Sequence, residues 1–162
     1  MPYRPGPVAA LPVATPYSPA MTPEQHTLVR ESWRRFEPRL RASGLRFYEQ
    51  LFALDPTVAH LFAHVDIDHQ ERKLMIMMTE IVRVLDQPVE LVPELASLGH
   101  RHVGYGVKDD DYGSIGSALL WLLEQVLGEE FTPELREAWS EAYLLVSSIM
   151  RRGAARAGAG SV

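Results

Sequence analysis

The sequence predicts an all-α domain of seven or eight helices, and three features of the chain indicate this. Apolar residues recur at helical spacing, and no run shows the sustained alternation of apolar and polar residues that is typical of a half-buried strand. Two segments, 22–25 and 132–134, begin Thr-Pro-Glu, which combines a capping hydroxyl with proline at the first helical position. The 162 residues, of which 46% are hydrophobic, suffice for one domain with a substantial core.

Two tails are predicted to flank a helical domain at residues 22–152. Residues 1–21 contain six prolines and lack the continuous apolar block of a secretory signal, so we expect a disordered, partly polyproline-like tail. Residues 153–162 are rich in glycine and alanine, which predicts a flexible end.

The composition limits the partners and the chemistry of the protein. The net charge of −5 comes from scattered acids, which favours neither nucleic acid nor an anionic membrane surface as a partner. No apolar run approaches the ~18 residues that a membrane-spanning helix needs. The absence of cysteine excludes disulfides, thiolate catalysis and cysteine-ligated metal centres. It fits a reducing compartment, and we expect a cytoplasmic protein that is a monomer or a weak homo-oligomer.

Proline residues mark the first two predicted helices. The first runs from Pro23 to about Phe36, with Leu28 and Trp33 facing inward. Pro38 is expected to start the second, because proline suits the first turn of a helix. One face of this second helix carries three residues at helical spacing: Leu45, Tyr48 and Phe52.

A short helix and a long one follow. Asp55 is predicted to cap a turn-like helix that leads to Phe62, followed by a polar corner at residues 63–68. The long helix opens at Asp68 and ends near Pro88, and its inner face carries Gln70, Leu74, Met78, Ile81 and Leu85.

Gln70 and Tyr48 are polar groups on otherwise apolar faces. Burying an unpaired amide costs about 1–3 kcal/mol in mutational data, so we expect such a group to have a hydrogen-bond partner. Either the two side chains bond each other or water, or they face a polar guest in the core.

His102 is the strongest candidate for a functional side chain. It shares a helical stripe with Leu95 and Leu98, whereas His100 lies about 200° around the helix on the polar side. A buried imidazole needs a partner for each nitrogen, and the Leu98 carbonyl one turn back could accept the Nδ1 proton. The two glycines that follow end the helix and return Val107 to the same face. The alternative is a core histidine satisfied within the protein.

Two further helices complete the chain. One is predicted from about Asp111 to Leu127, where Gly128 stops it, and the last from Pro133 to about Arg152.

An ordered set of motifs resembles the globin family, specifically single-domain bacterial haemoglobins related to the globin domain of flavohaemoglobins and, more distantly, to neuroglobin. The resemblance covers roughly Thr22 to Arg152. It rests on Phe-Tyr-Glu-Gln-Leu-Phe at 47–52, Asp-Pro at 55–56 with Leu-Phe at 61–62, Gln-Glu-Arg-Lys-Leu-Met at 70–75, Leu-Gly-His-Arg-His-Val-Gly-Tyr-Gly-Val at 98–107, Tyr112, Ile115-Gly116, Ala138-Trp139 and Ala142-Tyr143.

This resemblance implies a globin fold around haem b, with His102 as the proximal iron ligand. It also implies roles for further residues. Phe62 would pack on the haem ring, and Tyr48, Gln70 and Leu74 would line the distal side, where a diatomic gas binds. Lys73 would reach a haem propionate, although the sequence fits an ordinary solvated lysine equally well. The remaining haem contacts implied are Leu98, Val107 and Tyr112.

Departures from the family pattern also bear on the expected function. The distal position holds Gln70 instead of the histidine of vertebrate oxygen carriers, and a bis-histidyl state would require His69 or His64 to turn inward. Flavohaemoglobins pair the proximal histidine with a tyrosine and a glutamate. Tyr112 matches the tyrosine, but the glutamate position falls on Ala154, which argues against strong electron donation to bound oxygen.

We therefore expect reversible oxygen binding, as a carrier, store or scavenger, with nitric oxide and carbon monoxide as further ligands. The alternatives are nitric-oxide dioxygenation with electrons from a separate reductase, and a haem-based gas sensor. A helical bundle that binds no cofactor is the remaining alternative.

Overall fold

The computed structural model describes residues 21–159, and within them every regular element is a helix. Six are α-helices: α1 Pro23–Ala42, α2 Gly44–Leu54, α3 Ile67–Val84, α4 Pro88–Gly104, α5 Asp111–Leu127 and α6 Pro133–Ala159. Two are short 3₁₀ helices, Pro56–Phe62 and Gly128–Glu130. The all-α prediction is confirmed. Of the predicted tails, residues 1–20 and 160–162 lie outside the described residues.

α1 differs from its prediction because it continues through Pro38 to Ala42. Its buried residues Val29, Trp33, Phe36 and Leu40 follow one stripe, and the burial of Leu40 stabilises the turn beyond Pro38 although proline donates no backbone hydrogen bond. Leu28 lies beside this stripe and is 37% exposed, so its predicted inward position is wrong. The side chain of Met21, the last residue of the predicted tail, is buried.

Two tryptophans join α1, α3 and α6 in the core. The rings of Trp33 and Trp139 lie 6.1 Å apart. Trp33 donates its indole N–H to the Thr79 hydroxyl at 3.2 Å, and Trp139 donates to the Ser32 hydroxyl at 3.0 Å. Each buried indole therefore has its hydrogen-bond partner, and the packing of these three helices is fixed.

α4 and α6 cross so closely that only glycine fits at the crossing. A Cβ on Gly99 would lie 2.0 Å from the Met150 carbonyl oxygen, and one on Gly153 would lie 2.2 Å from the Ala96 carbonyl oxygen. We expected the last helix to end near Arg152 and a flexible end to follow, but α6 continues to Ala159 and Gly153 is buried. Contact with the backbone of α4 stabilises this additional length.

Gly99→Ala is expected to lower the free energy of unfolding by about 1–3 kcal/mol, the usual cost of overpacking, because backbone atoms must move to admit the methyl group. Gly104→Ala is the matched control on the same helix, since a Cβ there would meet nothing within 4 Å. Urea unfolding of both variants measures the difference. Equal stability of the two variants would contradict the close crossing.

Among the described residues, no helix is both long enough and apolar enough to cross a bilayer.

Candidate functional site

A largely apolar cavity opens between α2, α3, α4, α5 and α6. Its empty volume is about 1080 Å³, including space open to solvent. Seven of the nine expected site residues line it: Tyr48, Phe62, Gln70, Leu74, Leu98, His102 and Tyr112. Lys73 is exposed and Val107 packs against the core, and neither lines the cavity.

His102 is held in one orientation by its own helix. The imidazole is half-buried near the end of α4, and its Nδ1 lies 2.7 Å from the Leu98 carbonyl oxygen. This is the hydrogen bond expected from the spacing of the two residues. With the Nδ1 proton donated to that carbonyl, Nε2 is the ring nitrogen left with its lone pair available. His100, two residues earlier, is exposed.

The surroundings of His102 favour its neutral form. Burial lowers the pKa of the imidazole below its usual value, the Leu98 hydrogen bond acts in the opposite direction, and the nearby positive charge of Arg101 lowers the pKa further. A neutral imidazole at physiological pH is the form that can donate a lone pair to a metal ion.

Tyr48 and Gln70 present polar groups to the same cavity from two different helices. The buried Tyr48 hydroxyl donates to the main-chain carbonyl of Gln70 at 3.5 Å, a long and therefore weak hydrogen bond. The Gln70 side chain is half-buried and lines the cavity beside Tyr48. Asp66 caps α3 by accepting from the His69 amide at 3.2 Å, which fixes the first turn, where Gln70 lies.

Tyr48 is a rigid hydrogen-bond donor. Its ring contacts Phe47, Phe52 and Phe62 at centroid distances of 5.0, 6.3 and 5.4 Å. Burial raises the pKa of the phenol above its usual value, against a smaller opposing effect of its hydrogen bond to Gln70, and the charge of Glu71 raises the pKa further. The hydroxyl therefore keeps its proton. The predicted companion residue Leu45 is 45% exposed, so its assignment to this inner face is wrong.

The imidazole of His102, the hydroxyl of Tyr48 and the side chain of Gln70 thus line one cavity. The sequence matches the family described as "Globin" over residues 45–150. The chain belongs to the globin family. This globin is 30% identical to neuroglobin of Danio rerio in an alignment of 145 residues, and the match covers 81% of this chain and 91% of the relative. It is 29% identical to neuroglobin-1 of Oncorhynchus mykiss over 152 residues, covering 85% and 95% of the two chains.

A solved structure supports the fold of this globin. It is an engineered carbene transferase, described as a putative nitric oxide dioxygenase from Rhodothermus marinus. The TM-score is 0.77, and the match covers 86% of this chain and 97% of the other. At 24% sequence identity, the likeness shows the fold alone.

Globins bind haem b with iron, and the cavity of this globin fits that cofactor. Its walls are mainly apolar, as a macrocycle requires, and His102 offers an available Nε2. In the described part of the chain, no group of three or more side chains could hold a metal ion by itself. The single available imidazole therefore suits an iron whose other ligands come from a macrocycle.

Tyr112 leaves an unsatisfied group beside the cavity of this globin. Its hydroxyl is buried and has no hydrogen-bond partner within the described range, while the Arg151 guanidinium lies 5.2 Å above its ring. Tyr143 donates to the Tyr112 carbonyl and fixes the backbone. Ala154 is half-buried on α6 and offers no carboxylate to Tyr112.

Sequence reasoning missed much of the wall that α6 contributes. Besides Trp139, Ala142 and Tyr143, which belong to the motifs of the resemblance, this helix lines the cavity with Val146, Ser147 and Met150. Their spacing of three or four residues is the signature of a single helix face and could have identified them. His64 and His69, the residues that a bis-histidyl state would need, are both exposed.

Proposed function

We propose that this globin binds oxygen reversibly, as a carrier, store or scavenger, with His102 as the iron ligand and Tyr48 and Gln70 as the groups that retain the gas. One observation carries the proposal. The Tyr48 hydroxyl, which has only a long hydrogen bond, and the Gln70 amide line the same apolar cavity as an imidazole whose Nε2 is available.

The proximal role of the protein is to bind and orient. The Leu98 carbonyl holds the Nδ1 proton of His102, so that Nε2 carries the lone pair and the ring cannot rotate freely. When bound, haem supplies ferrous iron, to which a diatomic gas coordinates.

The distal role of the protein is to select and retain a polar guest. Oxygen gains partial negative charge when it binds, and the Tyr48 hydroxyl and the Gln70 amide can each donate a hydrogen bond to it. Apolar neighbours such as Leu51, Leu74 and Met78 exclude water, which strengthens these hydrogen bonds because no solvent competes for the donors. The result is slow oxygen release.

Nitric-oxide dioxygenation is the second candidate. The solved structure of similar fold is described as a putative nitric oxide dioxygenase, and Tyr112, which matches the tyrosine of flavohaemoglobins, lines the cavity. This reaction needs electrons to restore ferrous iron, and we propose that a separate reductase would supply them. Ala154, where flavohaemoglobins have glutamate, favours oxygen binding over the dioxygenase reaction.

We expect the purified ferrous oxygen complex to consume about one equivalent of nitric oxide and then to stop, even with NADH present. Each turnover would leave ferric iron, which the proposed separate reductase would have to reduce before the next turnover. An electrode that records nitric oxide measures this, and adding a purified reductase is the control that should restart consumption. Many turnovers with NADH alone would contradict the expectation.

A further inference from the structure

Glu71 occupies a space between α2 and α3 that exists only because residue 44 is glycine. A Cβ on Gly44 would lie 2.2 Å from the Oε1 of Glu71 and 2.4 Å from its Cγ. Real side chains do not approach so closely, so any other residue at position 44 would displace the glutamate. The glycine at the start of α2 thus makes room for the Glu71 carboxylate.

The negative charge of the Glu71 carboxylate has little compensation from hydrogen bonds or ion pairs. Its Oε1 is buried without a hydrogen-bond partner, and Glu71 forms no ion pair within the part of the chain that the structure describes. Burying an anionic oxygen without a partner is unfavourable, and an unpaired charge in a partly dry environment acts over a longer range than one in water.

The charge of Glu71 lies close to Tyr48, the hydrogen-bond donor on the distal side of the cavity. Gly44 and Tyr48 are four residues apart on α2 and share one helix face, and Glu71 packs against the first of them. The Glu71 charge acts on the Tyr48 phenol, whose hydroxyl lies over the Gln70 carbonyl immediately before Glu71. Glu71 itself does not line the cavity, so it influences a bound ligand only through its electric field.

We propose that Glu71 is a specificity-determining residue whose carboxylate disfavours anionic ligands in the distal cavity relative to neutral gases. A negative charge behind Tyr48 repels an entering anion such as azide. Carbon monoxide has no net charge and experiences no comparable repulsion. The inference rests on the proposed function, since both ligands would bind to the iron of a haem that His102 holds.

The test replaces Glu71 by glutamine, which keeps the shape of the side chain and removes its charge. The dissociation constant of azide from the ferric protein and that of carbon monoxide from the ferrous protein are measured by absorbance titration. For Glu71→Gln we expect azide binding to tighten about three- to tenfold, the effect of one partly screened unit charge, and carbon monoxide binding to stay the same.

Asp68→Asn is the matched control, because Asp68 is an exposed carboxylate in the first turn of the same helix. It should leave azide binding as in the unsubstituted protein. An unchanged azide constant in Glu71→Gln, an equal change for both ligands, or an equal effect of Asp68→Asn would overturn the proposal. A protein that binds no haem would overturn the proposed function itself. Normal oxygen binding together with an azide affinity that does not depend on Glu71 would overturn this inference alone.

Discussion

His102→Ala is expected to abolish stable coordination of haem. His102 is the only histidine among the described residues that lines the cavity, and its Nε2 has no protein partner. Without the imidazole, the apolar walls can hold the macrocycle only by packing, so the visible spectrum should lose the features of a histidine-ligated haem. Absorbance spectra of the reduced variant, before and after the addition of imidazole, measure the loss and its chemical rescue.

His100→Ala and His69→Ala are the controls, since both side chains are exposed. Each should keep the spectrum of the unsubstituted protein. If His100→Ala lost haem coordination while His102→Ala retained it, the orientation of α4 described above would be wrong.

Tyr48→Phe is expected to speed oxygen release about three- to tenfold or more, because it removes a hydrogen bond worth about 0.5–1.5 kcal/mol, and each 1.4 kcal/mol corresponds to a factor of ten. The phenylalanine ring keeps the contacts with Phe47 and Phe62, so the substitution isolates the hydroxyl. Gln70→Leu should act in the same direction less strongly, because a flexible amide is held less rigidly than the Tyr48 ring. Stopped-flow release of oxygen measures both variants.

Carbon monoxide is the control ligand for these variants, since its bound oxygen atom carries little charge and gains little from a donor. The effects of the two substitutions should not be additive, because both donors act on the same bound molecule. If Tyr48→Phe left oxygen release unchanged, or changed the release of both gases equally, the hydroxyl would serve packing alone.

Local signals predicted much of the helical frame. The capping box at Thr22 and Gln25 is present as its sequence indicates, and Asp55 caps the helix that ends at Phe62. The hydrogen bond from His102 to Leu98 follows from a separation of four residues on one helix. Each of these features depends on residues close in sequence, so spacing and side-chain chemistry determine it.

Features that depend on contacts between distant segments could not be predicted in this way. The continuation of α1 through Pro38 depends on burial of Leu40, and that of α6 beyond Arg152 depends on the contact of Gly153 with Ala96. Spacing alone likewise could not reveal that Glu71 packs against Gly44. Contacts between residues so far apart in the chain depend on tertiary packing, which overrides the local preference for a secondary structure.

The visible spectrum of the reduced protein, recorded in cycles of oxygen addition and removal, tests the central claim most directly. If His102 binds haem iron and Tyr48 and Gln70 retain the gas, a strong Soret band will shift when oxygen is added and return when it is removed, over repeated cycles. A protein without a Soret band, or one whose iron is oxidised at the first exposure and never returns to the starting spectrum, would contradict reversible oxygen binding.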